Sequence, residues 1–354
     1  MKKTSNLQAA IKEKYDYFAV FNNTNITYFT GFAGATALLT PLSGESTLFV
    51  SEVVYEQAKA ETNGLEVELM KRSENLMERI AKKTGQKKLA IDTLPIEPWR
   101  ALAKAVGGEE KLEPAANIIR NLRLIKDEQE IKLITEACKL AEIGMEMAVE
   151  TVRPGITEKE VAAEVEYAMR RAGSDGTSFD TIIASGANSA FPHGSCSNRK
   201  IQDGDLVVVD FGATYQFYHS DMTRTFIAGK PTEKQKKIYE TVNLAQQKAF
   251  ETIKPEIAAS QVDAVARQVI ETAGFGEFFV HGLGHGVGLE VHEPPVLSPS
   301  SKDVLATGNV VTNEPGIYMP NYGGVRIEDT VVVMTNGADK LTGGFLFLEK
   351  SQIK

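Results

Sequence analysis

The sequence predicts an α+β chain built as two domains, and three observations carry that prediction. Short apolar runs, turn signals and amphipathic stretches alternate over residues 1–115, the pattern of an α/β unit of ordinary domain size. A helical pattern then runs from Ala115 to about Ala148. Beyond it, a capped helix followed by an apolar strand ending in an acid occurs twice. The expected boundaries are 1–115 for the N-terminal α/β domain, 116–125 for a linker and 126–354 for the second domain.

Taken in order, YFAVF at Tyr17–Phe21 reads as a strand and NNTNITYFTGF as turn-rich connection. ATALLT and STLFVS are joined by PLSGE, whose proline and glycine mark a hairpin. Helices are expected near Val53–Glu61 and Leu76–Lys83, and KLAIDT is another strand. In the long helical stretch the charged IKDEQE marks a break between two helices.

In the second domain, Thr157, Glu160 and Gly173 frame ITEKEVAAEVEYAMRRAG as a helix with a capping box and a C-terminal glycine. Ser260, Asp263 and Gly274 stand in like positions around SQVDAVARQVIETAG. GDLVVVDFG from Gly204 then aligns without gaps to GNVVTNEPG from Gly308, which sets Asp210 against Glu314. HSDMTRTF carries Asp221 eleven residues after Asp210, and RIEDTVVV carries Glu328 fourteen after Glu314. A duplicated helix–strand–strand unit would bring these acids toward one centre.

Composition narrows the function. With 42% hydrophobic and 24% charged residues the chain is an ordinary globular one. A net charge of -8, with no basic cluster, argues against a nucleic-acid partner. No run approaches the roughly 18 apolar residues of a membrane span, and the N-terminus lacks the apolar core of a signal peptide, so the expected location is cytoplasmic. Cys138 reads as a small buried hydrophobe, and neither it nor Cys196 belongs to a disulfide framework or a CxxC site.

The four acids carry the chemistry. Asp210 ends an apolar run, where an acid is costly unless it is paired or binds a metal. Singly, each acid also reads as a turn cap or a surface charge; four in matching places of a repeat do not. Converging carboxylates repel unless cations neutralise them. An acid-rich site with one imidazole suits Mn, Co, Fe or Zn, and two such ions activate water and polarise a carbonyl, which is hydrolytic chemistry. HGLGHGVGLEVHEPP holds three of the five histidines, His281, His285 and His292. Its glycines argue against a helix and for a closely packed strand, with His281, Leu283, His285 and Val287 on one face. Pro294–Pro295 are expected to end it.

These segments resemble a known family. SDMTRTF, HGLGHGVGLEVHEPP, NEPGIY and GVRIEDTVVV, with NITYFTGFAG and SFDTIIASGANSAFPHG, are similar to the signature stretches of the Xaa-Pro peptidases, prolidase and aminopeptidase P. The resemblance covers nearly the whole chain. It implies a creatinase-like N-terminal domain, and a pita-bread catalytic domain whose pseudo-two-fold halves surround a curved antiparallel sheet. It implies two divalent metal ions, manganese first and cobalt, zinc or iron after it. Their ligands would be Asp210, Asp221, His285, Glu314 and Glu328, with Asp221 and Glu328 bridging. It implies catalytic roles for Glu314, His292 and His193, and substrate contacts from His193, His281, His292 and Arg326. His219 falls where the family varies and reads as structural. The implied substrate is a proline-containing peptide cleaved before proline, and the implied assembly a homodimer. Some prolidases carry an arginine just after the HEPP stretch to hold a dipeptide's carboxylate; Val296 stands there, so dipeptides and longer peptides both stay open. A creatinase-like amidinohydrolase and a non-catalytic binding relative are the competing readings, and methionine aminopeptidases usually lack the N-terminal domain.

Overall fold

The computed structural model describes residues 2–85 and 87–348; residues 1, 86 and 349–354, the outer ends of both expected domains among them, lie outside the described residues. The chain divides into two compact units, Met1–Arg123 and Leu124–Lys354.

The first unit contains α1 (Lys2–Ile11), β1 (Tyr17–Val20), α2 (Asn23–Thr30), β2 (Ala37–Pro41), β3 (Thr47–Ser51), α3 (Tyr55–Glu61) and β4 (Glu66–Met70). It continues with α4 (Leu76–Thr84), β5 (Leu89–Ile91), α5 (Ile96–Val106), β6 (Leu112–Pro114) and α6 (Ala116–Leu124). Its sheet has the order β4-β3-β2-β1-β5-β6, with the expected β2–β3 hairpin antiparallel and β5 parallel to β1. Buried Leu39, Phe49, Ile80, Leu89 and Leu102 join sheet and helices in one core. NNTNITYFTGF, read as connection, is instead the helix α2. Asn22 caps it, Gly31 closes it at φ 71°, and Ile26, Tyr28 and Phe29 are buried. Burial overrides the poor helix propensity of its Asn and Thr residues.

In the second unit come α7 (Glu128–Thr151), α8 (Glu158–Ala172), β7 (Gly176–Thr177), β8 (Ile182–Ser185), β9 (Asp205–Phe211), β10 (Ala213–Tyr215), β11 (Tyr218–His219) and β12 (Met222–Ala228). There follow α9 (Glu233–Thr252), α10 (Ala259–Thr272), β13 (Gly284–Gly286), β14 (Glu293–Leu297) and β15 (Val310–Asn313). The last strands are β16 (Gly316–Met319), β17 (Gly323–Arg326), β18 (Asp329–Met334) and β19 (Gly337–Lys340). The duplication is plain in this order: α7-α8-β8-β9-β12 is repeated as α9-α10-β13-β15-β18. Strand neighbours match too, β12-β9-β8 in one sheet and β18-β15-β13 in the other. Even isolated bridges repeat, Thr157 with Lys200 and Ala258 with Val304.

Each half has its own core. Met145, Val165, Ile183, Val209 and Phe211 belong to the first, and Val242, Ile270, Leu283, Val311 and Val331 to the second. Strand β12 serves both, with Phe226 in one core and Ile227 in the other. That is why all seven of its residues are buried, the polar Thr223, Arg224 and Thr225 among them. Each fully buried apolar side chain contributes roughly 1.5–3 kcal/mol.

Four local expectations change. The Thr157–Glu160 capping box and the left-handed Gly173 are present, but α10 begins at Ala259, with Ala258 at its cap and no side-chain bond there. Asp263 is buried and accepts from the Leu283 N–H at 3.0 Å, so a tertiary bond claims it. Asp210 pairs with Thr223 across β9 and β12; Asp221 lies just before β12, because the β10–β11 hairpin is inserted between. The glycine-rich strand is three residues long, interrupted by a register shift after His285. Pro294 and Pro295 sit inside β14 instead of ending a strand, and the bond between them is cis. Among the described residues no helix is long and apolar enough to cross a membrane.

Candidate metal centre

The duplication delivers the acids. Asp210 is the penultimate residue of β9 and Asp221 immediately precedes β12. Glu314 immediately follows β15 and Glu328 immediately precedes β18. His285 is the middle residue of β13. The glycines on either side of it are required by close approach. A Cβ on Gly284 would stand 2.2 Å from the Thr312 carbonyl oxygen, and one on Gly286 2.3 Å from that of Pro294.

All five side chains line one cavity of about 560 Å³, together with His193, His281, His292 and Arg326. Ligand atoms of Asp221, His285 and Glu328 lie within 4.8 Å of one another. His285 Nε2 is 3.2 Å from Glu314 Oε1 and 3.7 Å from Asp221 Oδ2. Its Nδ1 lies 3.1 Å from the Gly286 carbonyl, so Nδ1 carries the proton that donates there and Nε2 is the nitrogen turned to the acids.

The electrostatics call for cations. Burial, then repulsion from Asp210, pushes the Asp221 carboxyl well above the usual range; burial, then repulsion from Asp221 and Glu314, does the same to Glu328. Burial also raises Asp210. Its Oδ1 is buried without a hydrogen-bond partner, and an orphaned carboxylate oxygen on a cavity lined by three other acids fits a cation. For both Glu314 and His285 burial is the largest single effect, but their mutual bond and the attraction of nearby opposite charges together outweigh it, lowering Glu314 to about 2 and raising His285 to about 9. Four oxygen donors and one imidazole fit a hard or borderline divalent ion.

Arg326 organises the site from behind. Its Nη2 donates to Asp210 Oδ2 at 2.5 Å and its Nε to Thr223 Oγ1 at 3.1 Å. Its Nη1 donates to the Tyr318 hydroxyl at 2.7 Å and the Pro192 carbonyl at 3.2 Å. Tyr318 in turn lies 2.9 Å from His281 Nε2, and His281 Nδ1 is 2.6 Å from the Gly282 carbonyl. The carbonyl fixes the proton on Nδ1, so Tyr318 donates to Nε2 and both nitrogens of His281 are engaged by the protein. His193 and His292 are exposed, with the His292 ring 4.2 Å from that of His285. His219 lies outside the cavity lining, its Nδ1 3.0 Å from Thr214 Oγ1.

Sequence reasoning did not single out Tyr318, Thr223, Thr312 or Thr330. Thr223 Oγ1 donates to Glu328 Oε2 at 2.6 Å, Thr312 Oγ1 to Glu314 Oε1 at 3.0 Å, and Thr330 Oγ1 to the Asp221 carbonyl at 2.8 Å. A signal was present: each threonine stands two residues from an acid, the spacing that puts side chains on one face of extended chain. Phe179 and Ile182, apolar wall of the cavity, carried no such signal.

Comparisons with known proteins agree with this geometry. Residues 132–335 match the model of metallopeptidase family M24, and residues 3–125 that of the creatinase/prolidase N-terminal domain. The chain is 46% identical over 336 residues to a Xaa-Pro dipeptidase of Pyrococcus horikoshii, covering 94% of this chain and 93% of the relative. The crystal structure of the prolidase from Pyrococcus horikoshii OT3 superposes with a TM-score of 0.91 at 42% identity, over 98% of this chain and 100% of that one. An X-Pro aminopeptidase from Thermotoga maritima MSB8 gives a TM-score of 0.90 at 34% identity, over 98% and 99%. The fold is the α+β arrangement of these relatives, and the chain belongs to metallopeptidase family M24, with a creatinase/prolidase N-terminal domain before the M24 domain.

Proposed function

We propose that this chain is a Xaa-Pro peptidase, cleaving the bond between an N-terminal residue and proline with two divalent ions, manganese foremost. The observation that carries the reading is the convergence of four acids and His285 from both halves on one cavity, with Asp210 Oδ1 buried and unbonded. Asp210, Asp221, His285, Glu314 and Glu328 would hold the ions. When bound, such ions supply Lewis-acid polarisation of the scissile carbonyl and lower the pKa of water.

The chain's own groups do the rest. Glu314 takes the proton of the attacking water and passes it toward the proline nitrogen. His292, exposed beside His285, donates to the oxyanion that develops on the carbonyl. His193 contacts the proline side of the substrate. His281 presents its ring to the substrate, its nitrogens being engaged elsewhere, and Arg326 orients Asp210 and Tyr318 beneath it. The apolar wall of Phe179, Ile182 and Val296 suits a proline ring.

The relatives' names bracket the substrate length, one a dipeptidase and one an aminopeptidase. A manganese-loaded assay comparing Ala-Pro with Ala-Pro-Pro decides it: cleavage of the first alone makes this a dipeptidase, and preference for the second an aminopeptidase. Glu314→Gln tests the proton's route; activity near wild type with metal still bound removes Glu314 from it. We assign the protein to the cytoplasm and to a homodimer, with domain limits at 1–115 and 126–354. Sedimentation of the full chain tests the dimer.

A further inference from the structure

We infer that Glu158 is a positioning residue for His193: one buried carboxylate clasps both ends of the loop that carries this histidine. The inference rests on His193 facing the substrate, as proposed above. Glu158 opens α8 and is 0% exposed. Its Oε1 accepts from the N–H and the hydroxyl of Ser185 at 2.8 and 2.7 Å. Its Oε2 accepts from the N–H and the hydroxyl of Ser197 at 2.9 and 2.5 Å. Ser185 is the last residue of β8, and the chain between the two serines carries Pro192 and His193.

The donors leave no ambiguity about direction. Arg199 Nη1 donates to Ser185 Oγ at 2.7 Å, and the Arg199 N–H donates to Ser197 Oγ at 3.1 Å. Each serine oxygen thus receives a bond already, and its own proton is aimed at the carboxylate. A buried carboxylate is costly unless its oxygens are hydrogen-bonded, and these four bonds offset that cost only while both loop ends stay in place.

His193 depends on this anchorage. Its side chain is exposed and its ring makes no hydrogen bond among the described residues, so its place is inherited from the loop backbone. The loop's middle is tied elsewhere: Ser189 Oγ accepts from the Gly324 N–H at 2.8 Å, and the Pro192 carbonyl accepts from Arg326. The clasp fixes the exit from His193 back to Ser197. None of its bonds involves the five acid and imidazole residues of the metal centre.

The test uses Glu158→Gln and the milder Ser197→Ala, each in the wild-type and His193→Ala backgrounds of the manganese-loaded protein. Displacing a substrate-positioning group by about 1 Å costs up to roughly 100-fold. In the wild-type background both variants are therefore expected to lower kcat/KM about 10- to 100-fold for whichever of Ala-Pro and Ala-Pro-Pro the wild type cleaves better. Metal content should be unchanged, and amide exchange across residues 186–197 should be faster. In the His193→Ala background the further loss should nearly vanish. An equal loss in both backgrounds, unchanged kcat/KM, or loss of bound metal in both clasp variants overturns the inference while leaving the peptidase reading intact. Wild-type activity of His193→Ala alone removes that residue from the proposed function, and the inference with it.

Discussion

The Thr223 hydroxyl reaches from the first duplicated half to Glu328 of the second, donating to Oε2 at 2.6 Å. The bond is directional, because Arg326 Nε already donates to the same oxygen at 3.1 Å. Thr223→Val keeps the shape and removes the bond. Partners of this kind change metal affinity about 10- to 100-fold, so calorimetric titration of manganese should show a weakening of that size. Thr223→Ser should restore most of it. Equal affinity in the valine variant would show that the hydroxyl does not orient Glu328.

A second prediction concerns pH and protein stripped by a chelator. Asp221 and Glu328 are raised well above the carboxylate range, by burial first and mutual repulsion next. Above about pH 4 the folded state therefore keeps protons that the unfolded chain has lost, and stability falls as pH rises. Glu314, lowered to about 2, and His285, raised to about 9, act differently. The stability from Glu314 is present above its unfolded pKa and goes as pH falls toward 2. That from His285 is present below about 6.5 and goes as pH rises through 9. Divalent ions relieve the first effect, so the thermal-shift gain on adding manganese should widen from pH 5 to pH 7. A constant gain over that range contradicts the account.

Metal binding should also expel protons. For His285 burial is the largest single effect, but the bond to Glu314 and the charges of Glu314 and Asp221 together outweigh it and raise the imidazole to about 9, so it is protonated at neutral pH in the stripped protein. An imidazole must be neutral to ligate. Calorimetry at pH 7.5 in buffers of different ionisation enthalpy should report at least one proton released per chain. Buffer-independent heats would mean that His285 was already neutral.

Behind Glu328 lies a charge cluster built on the fully buried Arg224–Asp329 pair, with Lys340 part-buried at its edge. Arg224 Nη2 donates to Asp329 Oδ1 at 2.6 Å, and Lys340 Nζ and Gln246 Nε2 donate to Asp329 Oδ2 at 2.6 and 2.7 Å. Arg224 also donates to the Thr223 and Glu328 carbonyls, one from each half. Removing one partner of a buried pair costs about 3–5 kcal/mol, so Asp329→Ala should lose that much in denaturant unfolding of the catalytic unit. A loss under about 1 kcal/mol, the range of exposed pairs, would show the cluster to be solvated.

What the sequence made legible follows from range. Asp210, Glu314 and their partners could be found because strand ends and a repeat are local patterns. The threonines at two-residue spacing were equally local and were passed over, since a threonine in a strand ordinarily signals only β-propensity. Tyr318 belongs to another class: it meets His281 from 37 positions away, and no spacing rule joins them. Asp263 imitated a helix-cap partner in sequence and serves Leu283 instead. The helix α2 hid for the same reason, since what makes it helical is the burial of Ile26, Tyr28 and Phe29.

The crossed bonds between the halves bear on how the molecule holds together. Glu328 N–H donates to the Thr223 carbonyl at 3.0 Å, and Thr330 holds Asp221 from the opposite side. Neither half can peel away without breaking the place where an ion would sit. A ligand bound only to the native state stabilises it by mass action, so a bound ion would oppose the parting of the halves as well as serve the site.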